Sequence, residues 1–492
     1  MTACCVILFA FFISGCSLET SDELGQEKTL WVLTEKSTSD GMNMQLSLIA
    51  DYFESLHGDA AIQIEILPIN AEEREIRLKQ LQAQIMAGKG PDIYLLPTGN
   101  ELMTDAGRIT VDPLFQDAVQ SMYNGVFADI SKYYDGDDTL GKDALASQIM
   151  DAGMIGDARY VLPLRYNIPL VFTESSRWSE YGLNQEIFDS GVTAIAEAAL
   201  DSGDAFFIGY TDLPTDLSLM SDLFDYEKGE LLVTVQEIRE YMRLYQQRIA
   251  AVYASEEYMA SYWEYYWKYN NPAAGYIWFG TCWINEGLPA CTGSLNTVMD
   301  HLAISCILGQ DISVLPLRAA DSSVNAEVTY YGAVGSSCED PELAYELLRL
   351  FLTEEYQWGT YRPRIDKTKN LPNQRDPQKL GLVENSWPVR WTTSTTYLWE
   401  NMQYQLYDVG DREDLFWRKQ FRDSELVITD EDVTVFTISI DEVRFPISQD
   451  AEDSLSYALS LLNDDQGNPT QVDIDSLAEE VWTNLWWHLA EG

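Results

Sequence analysis

The alternation of apolar and polar segments after residue 28 predicts a parallel sheet covered by helices. Apolar runs typical of strands occur at 29–34, 61–69 and 92–97. Segments with helical periodicity separate them, at 44–56 and 71–88. Strands that alternate with helices in this way form parallel sheets with helices on both faces. We therefore predict an α/β fold.

The carboxyl ends of these strands are the expected position of a ligand site, because open α/β sheets bind ligands beyond those ends. The pattern places the relevant loops near Thr34 and Pro97. A further apolar run at 160–172 contains two prolines, which predicts a strand or a crossover rather than a helix.

An amphipathic helix is predicted at 340–357. Asp340 is a suitable N-cap, and Pro341 follows at the first helical position, where its missing N–H costs nothing. The remaining predictions are helices at 235–268 and 474–489, strands at 275–283 and 311–317, and an extended excursion at 361–392.

The charge of the chain limits its partners. Its 492 residues contain 79 acidic and 31 basic side chains, for a formal net charge of −48. This excess of acidic residues argues against nucleic acid as a partner, because proteins bind nucleic acid through concentrated Lys and Arg. It also argues against docking to anionic lipid through a basic face. Hydrophobic residues make up 46% of the chain, enough to fill large cores and to argue against disorder.

The N-terminus predicts an export address. Ala3 to Ile13 form an apolar run of eleven residues, which is short of the ~20 that span a bilayer but suits a signal peptide. Ser14 and Gly15 precede Cys16, and this junction resembles a bacterial lipobox. We predict a signal peptide over 1–15, a lipid on Cys16 and an acidic tether over 16–28. The usual basic residues before the run are absent from this sequence, which leaves open whether the N-terminus is complete.

Recognisable catalytic and metal motifs are missing. His57, His301 and His488 lie in or beside predicted helices without an accompanying motif, so no catalytic residue, cofactor or metal site is predicted. Gly136–Lys142 fits the frame of a phosphate loop, but Asp143 follows where magnesium needs Ser or Thr, so we interpret it as a solvated acidic turn. Whether the four cysteines of the mature chain form disulfides stays open, and they are Cys282, Cys291, Cys306 and Cys338.

Several motifs, taken in order, resemble extracellular solute-binding proteins of family 1, the lipoprotein receptors of ABC-type carbohydrate importers. The run 87–94 (AGKGPDIY) resembles the family's turn from a helix into a strand. Three further stretches resemble the family in the same order, at 127–131, 160–163 and 336–357. The closing helix, which ends in WWHLAEG, is also similar.

The resemblance implies a two-lobed α/β protein with a periplasmic-binding-protein-like fold of type II. Lobe 1 would comprise 29–168 plus 328–362, and lobe 2 would comprise 169–327 plus 363–492. Several crossover segments would join the lobes around a ligand cleft. Closure of the cleft would bury a sugar and present the closed form to the permease subunits of an ABC transporter.

The resemblance also implies which residues contact the ligand, since the family uses loops after the first strands and after the proline of the crossing strand. Each could instead be an ordinary surface residue. Sugars combine apolar faces with hydroxyl groups, so aromatic rings and polar side chains suit them. The candidates from lobe 1 are Glu35, Thr98, Asn100, Arg165, Tyr166 and Asn167, and the others are Trp278, Trp283, Tyr330 and Tyr331. For the two tryptophans, core packing is the alternative.

The sequence therefore predicts a lipid-anchored receptor on the extracytoplasmic side of the cell membrane that captures a sugar or oligosaccharide. Two alternatives stay open. One is a binding protein for a cationic solute such as a polyamine, which the acidic charge would attract. The other is an extracellular glycan-active hydrolase, which requires two carboxylates about 5–10 Å apart around the sugar.

Overall fold

The largest sheet that the structure describes has seven strands and is mixed. The computed structural model describes residues 28–35, 41–99, 101–104, 107–173, 175–202, 223–254, 290–293, 313–357, 387–390, 440–445 and 449–491. The strands are β1 Lys28–Thr34, β2 Ala60–Ile66, β3 Ile93–Pro97, β4 Glu101–Thr104, β5 Gly107–Thr110, β6 Met154–Ile155, β7 Ala158–Arg159, β8 Val161–Asn167, β9 Leu170–Thr173, β10 Phe224–Asp225, β11 Glu230–Leu231, β12 Ala290–Gly293, β13 Ser313–Pro316, β14 Asn325–Val334, β15 Trp387–Pro388 and β16 Glu442–Arg444.

Helices of very different length surround these strands. The α-helices are α1 Gly41–Leu56, α2 Ala71–Met86, α3 Ala118–Tyr123, α4 Ser131–Gly136, α5 Ser147–Asp151, α6 Gln185–Asp189, α7 Val192–Ser202, α8 Val235–Ala254, α9 Pro341–Arg349, α10 Glu354–Gln357, α11 Gln449–Ser460 and α12 Ile474–Glu491. Short 3₁₀ helices occur at Lys142–Ala144, Ser175–Tyr181 and Leu350–Leu352. Within the described ranges, no helix is long and apolar enough to cross a bilayer.

The order of strands in the main sheet is β15-β8-β14-β3-β1-β2, with β16 beside β14. β1 pairs in parallel with both β2 and β3, as the alternating pattern predicts. β14 is antiparallel to β3 on one side and to β8 on the other, so β8 runs in the same direction as β1 to β3. The α/β fold class is confirmed, with the carboxyl ends of β1, β3 and β8 at one edge of a mixed sheet.

The glycine-rich motif at 87–94 is a helix stop followed by a strand start. Gly88 has φ 66° and closes α2 with two hydrogen bonds, from its own N–H to Ile85 O (2.9 Å) and from Lys89 N to Gln84 O (2.8 Å). Asp92 then joins β3 to β1, because its carboxylate accepts a hydrogen bond from the N–H of Trp31 at 2.8 Å.

The predicted helix over 340–357 is confirmed only in its first part. Asp340 caps α9 by accepting a hydrogen bond from Leu343 N at 3.1 Å, and Pro341 is the first helical residue. The helix then narrows to a 3₁₀ turn and stops at Thr353, which has extended backbone dihedrals. The hydroxyl of Thr353 donates to Leu350 O at 2.7 Å, and its carbonyl accepts from Gln357 N, so a short second helix begins there.

The buried apolar residues form two separate cores. The first core surrounds the main sheet and includes residues from Leu30 to Leu170 and from Val324 to Tyr356. The second core contains Val171 together with residues of α7, α8, α11 and α12. The chain changes core at 170–171 and again between 317 and 324. These two crossing segments are neighbours, because Leu317 N donates to Pro169 O at 2.8 Å.

Two late segments that the sequence assigns to lobe 2 lie instead with the first core. β15 pairs with β8, and β16 pairs with β14, so both extend the main sheet. Val389, Ile440 and Phe445 are buried in the first core beside them. The predicted block 363–492 is therefore divided, because β15 pairs with the outer edge of β8 and β16 pairs with the part of β14 that extends past β3.

The acidic turn at 136–142 is exposed at Gly136, Asp138, Thr139 and Gly141, as predicted for a solvated turn, but the side chain of Asp137 is not. The side chain of Asp137 is only 9% exposed and pairs with Arg349 of α9 at 2.5 Å. Thr139 and Tyr345 donate further hydrogen bonds to the same carboxylate. Asp137 thus attaches an otherwise mostly exposed turn to α9.

Candidate functional site

The shared edge formed by the carboxyl ends of β1, β3 and β8 brings several predicted site residues together. Glu35 follows β1 and Thr98 follows β3. Arg165 and Asn167 are among the last three residues of β8. β14 runs antiparallel between β3 and β8 through residues 330–334, so its Tyr330, opposite Pro97 and Arg165, lies at the same edge. We define these five residues as the edge site.

Glu35 is held inside the protein by Arg74 of α2. Glu35 is 5% exposed and Arg74 is 1% exposed. The guanidinium donates two hydrogen bonds to the carboxylate, at 2.5 Å from Nη2 to Oε1 and 2.9 Å from Nη1 to Oε2. Burial raises the pKa of the Glu35 carboxyl, and the hydrogen bonds and charge of Arg74 act against that rise. The carboxylate is therefore committed to Arg74.

Arg74 also fixes the neighbouring loops. Its Nε donates to Asp112 O at 2.6 Å, and its Nη1 donates to Pro68 O at 3.1 Å. One side chain thus joins the loop after β1, the loop after β2 and the segment after β5. Because planar guanidinium groups give a rigid fork of donors, this contact fixes the shape of the edge rather than adding charge to it.

Thr98 extends the pairing between β3 and β14 past the end of β3. Its N–H donates to Thr329 O at 2.9 Å, and its hydroxyl donates to Val328 O at 2.6 Å. The Thr98 hydroxyl is thereby occupied by the backbone. Its role in the structure is to hold β14 at the edge.

Tyr330 lies between two charged groups. It is paired with Arg165 across the β14–β8 ladder, and it is half-buried. Burial raises the pKa of the Tyr330 hydroxyl to about 12, with a smaller contribution from the negative charge of Glu35. Burial lowers the pKa of the Arg165 guanidinium, whose Nη2 lies 3.4 Å from Gln357 O. The edge site therefore contains a neutral phenol beside a cationic guanidinium.

Asn167 provides a buried acceptor. Its Oδ1 has no hydrogen-bond partner among the described residues, and neither does the hydroxyl of Thr329. Asn167 stands opposite Glu327 in the ladder, and Thr329 lies at the irregularity between Val328 and Tyr330. Buried polar atoms are normally paired, so these two unpaired ones are candidates for hydrogen bonds to a ligand.

Tyr166 and Tyr331 occupy the hydrophobic core rather than the surface of the edge. They are 1% and 2% exposed. The ring of Tyr331 contacts Phe127 and Phe445, with centroids 6.2 and 5.9 Å apart. Burial raises the pKa of both tyrosine hydroxyls. The alternation of side chains along a strand accounts for this placement, because Tyr166 must face away from Arg165 and Asn167.

The other candidates lie outside the described residues. These are Asn100, Trp278, Trp283 and the lipidation residue Cys16. Of the cysteines, Cys338 is a free, half-buried thiol whose pKa is raised to about 12 by burial and by the charge of Asp92. No cluster of His, Cys, Asp and Glu suited to a metal occurs in the part of the chain that the structure describes.

Sequence reasoning missed Arg74, although a signal for it exists. The buried residues of α2 are Arg74, Leu78 and Leu81, which are spaced as one helical face. An arginine in an otherwise apolar stripe requires a buried partner. Thr329 carries no comparable signal, because its position depends on a strand irregularity that only the folded sheet reveals.

Comparison with known proteins gives similarity at the level of the fold. No protein-family model matches the chain, and no curated protein matches it in sequence. Among solved structures, the chain is similar to a de novo designed cysteine esterase, with a TM-score of 0.54 and 12% identity over 95% of this chain and 99% of that chain.

Solute-binding proteins are also among the similar structures. One is an extracellular solute-binding protein family 1 from Alicyclobacillus acidocaldarius, with a TM-score of 0.46 and 13% identity over 94% of this chain and 98% of that one. Another is the cyclic alpha-maltosyl-1,6-maltose binding protein from Arthrobacter globiformis, with a TM-score of 0.48 and 12% identity over 94% and 99%. The family named from the sequence motifs thus recurs among similar structures, and at these identities the likeness concerns the fold alone.

Proposed function

We propose that the chain is an extracytoplasmic, lipid-anchored solute-binding receptor that captures a sugar or oligosaccharide and delivers it to an ABC-type importer. In this proposal the protein binds its solute without transforming it. Cys16 carries the lipid, and the two cores are the two lobes of the receptor. The sequence motifs of the solute-binding family support this proposal, together with the position of the edge site beside the crossing segments.

The observation that carries the proposal is that Asn167 Oδ1 of β8 and the Thr329 hydroxyl of the neighbouring strand β14 both lack a hydrogen-bond partner among the described residues. Leaving a buried polar atom without a partner costs about 1–3 kcal/mol. A sugar hydroxyl donates a hydrogen bond to Asn167 Oδ1, and a second sugar oxygen accepts one from Thr329. Tyr330 and Arg165 are neighbours that supply a ring and a further donor.

The pairing of Glu35 favours a neutral polyol over a polyamine. A cationic ligand needs an uncompensated carboxylate, whereas both oxygens of Glu35 already accept hydrogen bonds from Arg74. Arg165 adds positive charge to the same edge. A site of this composition discriminates against ammonium groups and tolerates hydroxyl groups.

A ligand screen tests the proposal. Thermal unfolding is followed with monosaccharides, linear and cyclic oligosaccharides and polyamines, and each mixture is afterwards analysed for cleavage products. We expect an oligosaccharide to raise the melting temperature without turnover, because binding to the folded state stabilises it by RT ln(1 + [L]/Kd). Stabilisation by polyamines alone, or cleavage of a glycan, would contradict the proposal.

Two variants test whether the edge site binds the sugar. Asn167→Ala removes the unpaired acceptor and should weaken the affinity for the stabilising sugar about tenfold, since one hydrogen bond is worth roughly 1 kcal/mol or more. Asn468→Ala is the matched control, because Asn468 is exposed and bonds only with Asp464 in a distant turn. Equal affinities for the two variants would remove the edge site from the proposal.

A further inference from the structure

The two oxygens of the Asp117 carboxylate accept hydrogen bonds from different parts of the protein. Asp117 is the N-cap of α3, and its Oδ1 accepts a hydrogen bond from Gln120 N at 2.9 Å. The residue is 4% exposed and lies beside first-core residues Leu114 and Ala118. Capping therefore uses one oxygen and leaves Oδ2 for another partner.

The partner of Oδ2 lies in a segment that packs against the second core through Leu223, Phe224 and Leu231. The hydroxyl of Tyr226, in the turn between β10 and β11, donates a hydrogen bond to Asp117 Oδ2. His488 of α12 lies on the same side, with its Nε2 3.9 Å from that oxygen. The ring of Phe224 contacts both Tyr226 and His488, at centroid distances of 5.5 and 5.7 Å. The second core thus forms a three-ring wall against a single buried carboxylate.

This contact is separate from the segments where the chain passes between the cores. Those segments lie at 168–170 and 317–324, beside the ends of β8 and β14. Asp117 follows a segment that is tied instead to the β1 side, because Arg74 donates to Asp112 O. A hydrogen bond placed away from the crossing segments can break while the path of the chain between the cores stays unchanged.

We propose that the hydrogen bond from Tyr226 to Asp117 is a latch that holds the two lobes in the arrangement described here. Tyr226 is half-buried, and desolvation of its hydroxyl together with Asp117 raises the pKa of that hydroxyl, so the phenol keeps the proton that it donates across the interface. A hydrogen bond to a carboxylate is stronger than one between neutral groups. The latch thus adds to the population of the arrangement described here, whatever solute the protein binds.

Hydrogen exchange on the ligand-free protein tests the latch. Tyr226→Phe removes only the hydroxyl, and Asp117→Asn acts from the opposite lobe while retaining an oxygen for the cap. Tyr457→Phe is the control, because Tyr457 is 64% exposed on α11. We expect either interface variant to accelerate exchange on the order of tenfold in both peptides 111–124 and 223–233, as loss of a charge-assisted bond predicts. Tyr457→Phe should leave both unchanged.

The double variant and the molecular dimensions complete the test. Because both substitutions remove the same charge-assisted bond, the double variant should accelerate exchange no more than Tyr226→Phe alone. Small-angle scattering should show a larger radius of gyration for both single variants than for Tyr457→Phe. Three results would each overturn the latch. They are exchange rates in the double variant that combine the effects of both single variants, faster exchange only in the peptide that carries the substitution, and an unchanged radius of gyration.

Discussion

Replacing Arg74 by Met is the most informative perturbation of the edge site, because it removes the guanidinium and keeps an unbranched side chain of similar length. Four hydrogen bonds disappear, two to the Glu35 carboxylate and one each to Asp112 O and Pro68 O. Glu35 then remains as a buried carboxylate without its cation. Breaking a buried pair in this way costs about 3–5 kcal/mol.

Removing both charges has a different expected cost. The pKa of Glu35 is raised despite Arg74, which means that the pair does not fully repay the desolvation of the carboxylate. Glu35→Leu combined with Arg74→Met should therefore cost less than Arg74→Met alone, by about 2 kcal/mol or more, because no uncompensated charge stays buried. The two side chains are strongly coupled rather than independent.

The pH dependence follows from the same raised pKa. A carboxyl whose folded pKa lies above its unfolded pKa binds more protons in the folded state, so its contribution to stability falls as pH rises between the two values. Arg74→Met raises the folded pKa of Glu35 further. The variant should consequently recover part of its lost stability when the pH is lowered from 7 towards 5, relative to the original protein.

Urea-dependent hydrogen exchange measures these effects locally, on peptides that contain β1 and β3. This readout reports the first core without assuming that both cores unfold together. Arg77→Met is a useful control, because Arg77 pairs with Glu65 at a position that is about a fifth exposed. An Arg74→Met cost below about 1 kcal/mol, or a double variant that is worse than the single one, would refute the reasoning.

Three further predictions concern other parts of the first core. Gly90→Ala should lower the free energy of unfolding in urea by about 1–3 kcal/mol, because the new Cβ would lie 2.8 Å from Tyr94 Oη and 2.9 Å from Ile85 Cγ1. Gly58→Ala is the control and should leave the stability unchanged, because the space around Gly58 is open. Burial acts to raise the pKa of Asp137, but hydrogen bonds from Arg349 and Thr139 outweigh it and the pKa is lowered. The stability that the ionised carboxylate contributes at neutral pH should therefore be lost as the pH falls through this lowered pKa, and Asp137→Asn should flatten the loss of stability between pH 5 and 3. Cys338 should react with a thiol reagent at pH 8 far more slowly in the folded protein than in urea, since its raised pKa leaves little thiolate; equal rates would contradict the burial.

Local signals in the sequence predict much of the first core. The apolar alternation and the glycine and proline positions locate β1, α1, β2, α2 and β3, and Asp340 marks the start of α9. These features depend on neighbours within a few residues. Thr353 ends the late helix early because its hydroxyl donates back to Leu350 O of the preceding turn and its carbonyl accepts from Gln357 N of the next one, which a periodicity of apolar residues does not record.

The edge site is less predictable from sequence than the strands that carry it. The loops were expected at the right strand ends, but Glu35 serves Arg74, and Tyr166 and Tyr331 face the core. Each of these outcomes depends on which face of a strand is covered by a distant element. Likewise, β15 and β16 join the main sheet through pairings that span more than 100 residues of sequence.

The position of β14 has a consequence for how the protein folds. β3 and β8 are neighbours of β14 and not of each other, so each presents an open edge until residues 325–334 are available. During synthesis the first 170 residues therefore contain most of the first core but expose two hydrogen-bonding edges inside it. Pairings of such long sequence separation fold slowly, and partly made chains with open edges are prone to aggregate. The late arrival of one strand makes the nascent chain dependent on being kept unfolded or shielded until more than two thirds of it has been made.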